Sequence, residues 1–522
     1  MLINMINMIM KTNGIKRSGS QRNIILLFLL SILSVSCDKS FLDVKVQGGE
    51  STTTDPNLAK DLVTGVYSSL LQGDPFGNGD LHGLAFYSAT NIISDDADKG
   101  SYAADQATTA GQMDDFTLTP SNQFCATLWS GHYNSIGAAN QALAALTTAS
   151  ISTSLKNELK AEVLFLRGYF YFNLVRFYGG VPLVLTVPAD AHDANTNPAF
   201  QTRAMAATVY DSIIHDLHYA ISNLPLKSQA TVGHATKGAA QAMLAKVYMY
   251  QNQWDSVATL TNKIIASGQY QLTSDYSLQF RQAGNNSIES IFEIETGKFN
   301  NSNFGINNCT VSQGPRVGGA GGWNDLGWGF NDPSVSLVNS YEAGDLRKAA
   351  TIIFIDNSGT HKGTVLWDGF RLPSSDSVQN LYYNYKAYTS SSNPSKESYA
   401  NPGDKDRPKN VIVLRYADVL LMNAEAAIHT GGDAATPLNM VRQRAGLTAK
   451  GTVALADVKQ ERHVELAMEE DRFWDLVRWG DAATVMLAVG KTNFVAGKNE
   501  LLPIPSSQIL LSNGKLTQNP GY

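Results

Sequence analysis

Glu461, Glu465 and Glu469 recur at four-residue intervals in ERHVELAMEEDRFWDLVRWGDA, the run from Glu461 to Ala482, with Glu470 and Asp471 beside them. On a helix this spacing sets three carboxylates along one face. Glycoside hydrolysis needs two carboxylates about 5–9.5 Å apart across the scissile bond. Helical neighbours four residues apart meet that separation trivially, so the spacing selects nothing by itself. Arg462, Arg472 and Arg478 are on hand as partners, and Phe473, Trp474 and Trp479 as packing. The segment therefore reads as a structural charge network lined with aromatic rings rather than as a catalytic pair. His463 stands two residues before Glu465, which is not the HExxH spacing of a zinc site. No Ser-His-Asp set, P-loop or dinucleotide fingerprint occurs. No metal or cofactor is indicated; a calcium steadying a loop is compatible with the sequence but unsignalled.

A second set of residues suits holding a sugar rather than cleaving it. Sugars present flat C–H faces bordered by hydroxyls, which exposed rings and edge-on amide, carboxylate or guanidinium groups can grip. GPRVGGAGGWNDLGWGFNDPS, from Gly314 to Ser334, carries Trp323, Trp328 and Phe330 among glycines that allow unusual backbone angles. Arg316, Asn324 and Asp325 supply polar partners there. Downstream lie Trp367 and the cluster Tyr382, Tyr383, Tyr385, Tyr388, and upstream the loop Asp74 to Gly100 holds Phe86, Tyr87, Asn91, Asp95 and Asp96. The expected ligand surface is drawn from Trp323, Trp328, Asn324, Asp325, Arg316, Trp367, Tyr383 and Asp96. No catalytic residue is assigned.

The elements that must position these groups are mainly helical. Leu58, Leu62, Val66 and Leu70 repeat at four-residue spacing from near Asn57; a second helix is expected over about 122–147 and a third over 155–177. The third is apolar on most of its circumference and should be buried, with Arg167, Tyr169 and Tyr171 as core polar groups; Gly179, Gly180 and Pro182 end it. Lys237 to Tyr270 and Leu414 to Leu447 read as helical hairpins close to the tetratricopeptide period, the second turning at Gly431-Gly432. Such units cannot bury their own apolar faces and should stack. Residues 271–410, rich in Gly, Asn, Ser and aromatics, read as long loops with minor β structure at Ser290–Glu295 and Ala350–Ile355; loops this long are usually functional. LLPIP, with Pro503 and Pro505, should run extended as a strap.

Lys11, Lys16, Arg17 and Arg22 precede an apolar run from Ile24 to Val35, which stops at Ser36-Cys37. The run is shorter than the about 20 residues that span a bilayer, so residues 1–36 read as a secretory signal. LSVSC resembles a lipobox, which makes Cys37 the lipidation site and 37–56 a tether leading into one domain over 57–522, with parts at about 57–270, 271–410 and 411–522. The charge of −6, from 40 basic and 46 acidic residues, comes with no basic stripe, so nucleic acid is not an expected partner. Cys125 and Cys309 could be free thiols or could pair.

Four segments, in order, resemble the SusD/RagB family of outer-membrane nutrient-binding lipoproteins: the lipobox with SFLDV, AEVLFLRGYFYFNLVRFYGGVPLV from Ala161 to Val184, the Glu461 to Ala482 run, and ELLPIPSSQILLSNGKLTQNPGY at the end of the chain. The resemblance implies a mainly α fold, a SusD-like superhelical body of tetratricopeptide-like pairs with long loops. It also implies a lipid-anchored protein on the outer membrane, facing outward, that binds glycan without catalysis and delivers it to a SusC-type TonB-dependent transporter. The rivals are a surface glycoside hydrolase, a peptide-binding tetratricopeptide scaffold, and a family member that binds a peptide or other nutrient.

Overall fold

Asp55 accepts a hydrogen bond from the Asn57 backbone and opens α1 (Pro56–Ser69), with proline at the first turn where no amide partner is lost. The computed structural model describes residues 55–77, 79–296, 310, 312–314, 316, 327–355, 365–371, 378–389 and 409–522. Cys37 and Cys309 lie outside them, as do Trp323, Asn324 and Asp325. Cys125 is a buried thiol.

Asn122 caps α2 (Gln123–Thr148) and Ser152 caps α3 (Thr153–Tyr178). From Ala161 to Tyr178 every residue of α3 is buried, as its apolar circumference predicts. Its polar groups have fixed partners: Arg167 forks onto Asp216 at 2.8 and 2.9 Å, and the Tyr171 hydroxyl donates to the Val184 carbonyl at 2.9 Å. Asp216 lies on α4 (Ala206–Asn223), which packs against α3 where Gly168 lets Leu217 approach. Two hairpins follow, α5 (Lys237–Tyr250) with α6 (Trp254–Ala266), and α7 (Tyr416–Thr430) with α8 (Ala435–Arg444). Gly431 turns the second at a φ of 76°, a left-handed angle that glycine adopts without strain. Trp254 stacks on His429 at 4.1 Å, and α6 packs on α7, so each helix from α1 to α8 packs on the next in chain order. One apolar core runs from Ala59 to Leu516. No helix among the described residues is long and apolar enough to cross a membrane.

The minor β structure consists of two-stranded antiparallel pairs. β1 (Ala97–Gly100) pairs with β3 (Phe330–Pro333), β2 (Ser290–Ile294) with β6 (Val411–Arg415), and β4 (Ile352–Phe354) with β5 (Tyr382–Asn384). The expected hairpin from Leu414 thus begins as strand and turns helical at Tyr416. The C-terminal segment is the expected strap. Leu502 donates to the Phe177 carbonyl at 2.7 Å, and Asn519 bonds the carbonyls of Tyr178 and Leu502. Gly180 is required where the chain leaves α3, because an added Cβ would sit 2.3 Å from the Ala204 carbonyl.

One expectation needs correction. The acidic run is not a single helix: α9 (Leu455–Glu465) and α10 (Arg472–Trp479) are separated by a turn in which Met468 and Glu470 hold φ of 63° and 73°. Glu469 therefore lies beyond the face that carries Glu461 and Glu465. The charge network itself is present, with different partners. Glu465 accepts from Arg347, Arg415 and Arg444, and Glu461 from Arg347 and Arg442. Arg462 instead bonds Asp418 and Asp475, Arg472 bonds Asp95, and Arg478 bonds Glu425.

Candidate functional site

The register of β1 on β3 creates the site. Gly100 stands opposite Phe330, so the chain leaving β1 and the chain entering β3 emerge from the same end of the ladder. The first carries Ser101, Tyr102, Asp105 and Gln106; the second carries Gly327 and Trp328. Gly100 and Gly329 both hold positive φ, and a Cβ at Gly100 would lie 2.4 Å from the Gly329 carbonyl, so the close approach of the two segments depends on that glycine. Phe76, Leu84, Asp105, Gln106, Arg316, Gly327, Trp328 and Phe330 line an open cleft of about 340 Å³. Phe76 is 51% exposed, Tyr102 39% and Trp328 36%, which is unusual for rings of this size and leaves them available to a ligand.

Polar groups sit among these rings. The Arg316 guanidinium lies over the Tyr102 ring at 4.3 Å, pairs with Asp105 and donates to Ser101 Oγ at 2.8 Å. Lys99 shapes the loop from beneath: its ammonium donates to the carbonyls of Gly100, Tyr102 and Asp105 at 2.8–2.9 Å. Burial pushes the Lys99 amine down, opposed by Asp105, Asp114 and Asp332. Lys99→Met would leave three carbonyls converging on an apolar chain end. We expect it to cost about 1–3 kcal/mol in stability and to weaken ligand retention several-fold, read by a melting curve and a binding assay on the same sample. Unchanged retention would show that the 100–105 loop does not shape the site. Behind the cleft, burial drives the Asp332 carboxyl well above its ordinary range, reinforced by Asp98 across the ladder and opposed by Lys99.

The predicted residues divide. Arg316 and Trp328 meet in the cleft. Tyr383 does not present its ring: it is fully buried, and its hydroxyl accepts from the Asn380 amide and donates to the Arg316 carbonyl at 3.4 Å. It props the main chain of the cleft from behind. Asp96 is fully buried too, bonded to His463 Nε2 at 2.7 Å and to the Met468 amide. Both correct the expected rim: the polar groups of Tyr383 and Asp96 turn inward to partners within the fold. Trp367 is half-buried in a separate cluster with Ile353, Ile355 and Tyr388, and it does not line the cleft. Phe86, Tyr87, Asn91 and Asp95 of the upstream loop are buried. Sequence reasoning missed Phe76, Tyr102, Asp105 and Gln106. The available signal was an isolated tyrosine in SYAADQATTAG, a run otherwise too polar and small to bury it.

Glu461 and Glu465 are buried, and arginines occupy their carboxylates. Asp95, Asp96 and His463 are close enough to share a metal ion, yet Arg472 already bonds both oxygens of Asp95 and His463 bonds Asp96.

A stack of sequential helices that displays an aromatic cleft on its loops defines a helical scaffold with a loop-borne candidate ligand surface. The chain belongs to the SusD family: that family's profile matches residues 288–522, and a second, described as starch-binding associating with outer membrane, matches residues 40–249. The chain is 26% identical over 436 residues to SusD-like protein P2 of Formosa agariphila, covering 79% of this chain and 83% of that protein. It is 25% identical over 423 residues to the starch-binding protein SusD of Bacteroides thetaiotaomicron, covering 70% and 72%. Among solved structures, a laminarin-binding SusD-like protein superposes with a TM-score of 0.74 at 29% identity, over 89% of this chain and 99% of that one.

Proposed function

We propose that this protein captures an oligosaccharide at the cell surface and passes it, uncleaved and without a cofactor, to a SusC-type TonB-dependent transporter in the outer membrane. The observation that carries the reading is the cleft: Phe76, Tyr102 and Trp328 offer apolar faces, and Arg316, Asp105 and Gln106 offer edges for hydroxyls. The names of its relatives, starch-binding in one case and laminarin-binding in another, support a glycan as the ligand. The burial of Glu461 and Glu465 supports capture over hydrolysis. A lipid on Cys37 would hold the domain at the membrane, and the tether would keep the local concentration of sites high, so that modest affinity suffices.

Affinity electrophoresis of the mature protein through gels of neutral and acidic polysaccharides, laminarin included, tests the reading. A reducing-sugar assay on the same mixtures accompanies it. Retardation without new reducing ends is expected. Migration indifferent to every polysaccharide, or steady release of reducing ends, would overturn it.

A further inference from the structure

Among the described residues that line the cleft, the one guanidinium, that of Arg316, is already engaged. Arg316 Nη1 pairs with Asp105 Oδ2 and donates to Ser101 Oγ, and Ser101 Oγ donates in turn to the same Asp105 oxygen at 2.9 Å. Neither member of the pair is sealed: the side chains are 30% and 35% exposed, so both border the space a ligand would occupy. Desolvation pushes the Asp105 carboxyl up, but the hydrogen bonds from Ser101 and Arg316, the Arg316 charge and the Tyr102 amide together hold it below its ordinary range. The carboxylate is therefore ionised throughout the neutral range. Lys99, the other cation close by, points its ammonium at three backbone carbonyls. Among the described residues that line the cleft there is no further lysine or arginine.

Charge in this arrangement acts on choice of sugar. A uronate carboxylate or a sulfate ester gains most from a guanidinium that is free to bond it with both nitrogens. Here it would have to displace Asp105 and would face the displaced negative charge. A neutral sugar needs no displacement, because its hydroxyls can donate to Asp105 and accept from Arg316 while the pair stays intact. Discrimination of this kind comes from a built-in repulsive element and not from added attraction.

Resting on the glycan reading of the cleft, we propose that Asp105 is its specificity residue, holding Arg316 so that the site takes uncharged glycans and rejects uronate-bearing or sulfated ones.

The test compares the wild-type protein with Asp105→Asn, which keeps the shape and one acceptor oxygen but loses the charge. Both are run through gels of neutral polysaccharides (laminarin, mannan, xylan) and of alginate, with melting curves confirming the fold. The wild type should be retarded by a neutral polymer and not by alginate. Asp105→Asn should gain alginate retention of about tenfold or more over wild type, diminishing as salt is raised, whatever it loses on the neutral polymer. Adding Arg316→Gln should abolish the gain, and Asp105→Ser should reproduce it should the asparagine variant fold poorly. Wild-type retention by alginate as strong as by the neutral polymer would overturn the proposal while leaving glycan binding intact. So would folded uncharged variants that gain nothing. A wild type retarded by no polysaccharide of either charge would overturn the glycan reading itself, and the inference with it.

Discussion

Replacing Glu465 with alanine is expected to lower the unfolding free energy by about 3–5 kcal/mol. Glu465 is fully buried, and Arg347, Arg415 and Arg444 converge on its two oxygens. Removing the carboxylate leaves three guanidiniums facing one another with less than their balancing charge. Asp345 still pairs with Arg347, and Glu289 with Arg415 and Arg444, but Glu461 is shared with Arg442 and Glu469 with Lys386. A urea titration of the variant against wild type measures the effect. A shift under about 1 kcal/mol would show that the network rearranges around the gap. The pH dependence has a defined sign. Desolvation alone would raise the Glu465 carboxyl, but Arg444, Arg415 and Arg347 outweigh it and hold the group well below its ordinary 4.5. The unfolded chain then takes up a proton near 4.5 that the folded chain refuses until far lower pH. The stabilisation is complete above that value and fades as the solution is acidified below it. The alanine variant should show a shallower loss over the same acidic window.

Trp328→Ala combined with Tyr102→Ala should abolish detectable glycan retention. A ring that anchors a ligand contributes about 2 kcal/mol or more, so each loss alone is roughly thirtyfold in affinity. Trp328 lines the cleft, and Tyr102 also supports the Arg316 guanidinium, so the two changes remove both an apolar face and the platform under a polar edge. Both side chains are substantially exposed, and the melting temperature should stay close to wild type. Laminarin retention by the folded double variant equal to that of the parent would place the ligand elsewhere on the protein.

The helices were legible because their apolar periodicity is strong and their ends are marked. Asn122 and Ser152 cap α2 and α3, and Gly431 turns the second hairpin. The break between α9 and α10 was not legible: Leu466, Ala467, Met468, Glu469 and Glu470 are all good helix formers. The left-handed turn there is imposed by distant contacts, among them Asn91 accepting the Glu470 amide and Asp96 accepting the Met468 amide. Half of the cleft was legible for a similar reason. Trp328 and Arg316 share one glycine-rich stretch, whereas Tyr102 and Asp105 join them only through the pairing of Asp98 with Asp332. Tyr383 and Asp96 carry the right chemistry for a sugar, but sequence alone does not tell an aromatic or acidic group on a rim from one turned inward to serve the backbone.

The strap over α3 bears on how the chain is made. The Phe177 carbonyl accepts from Leu502, and the Tyr178 carbonyl, which Arg203 also bonds, accepts from Asn519; Leu502 and Asn519 leave the ribosome long after α3 has done so. Contacts so remote in sequence slow the search for the native state. The C-terminal end of this buried helix therefore gains its last bonds when translation is nearly over.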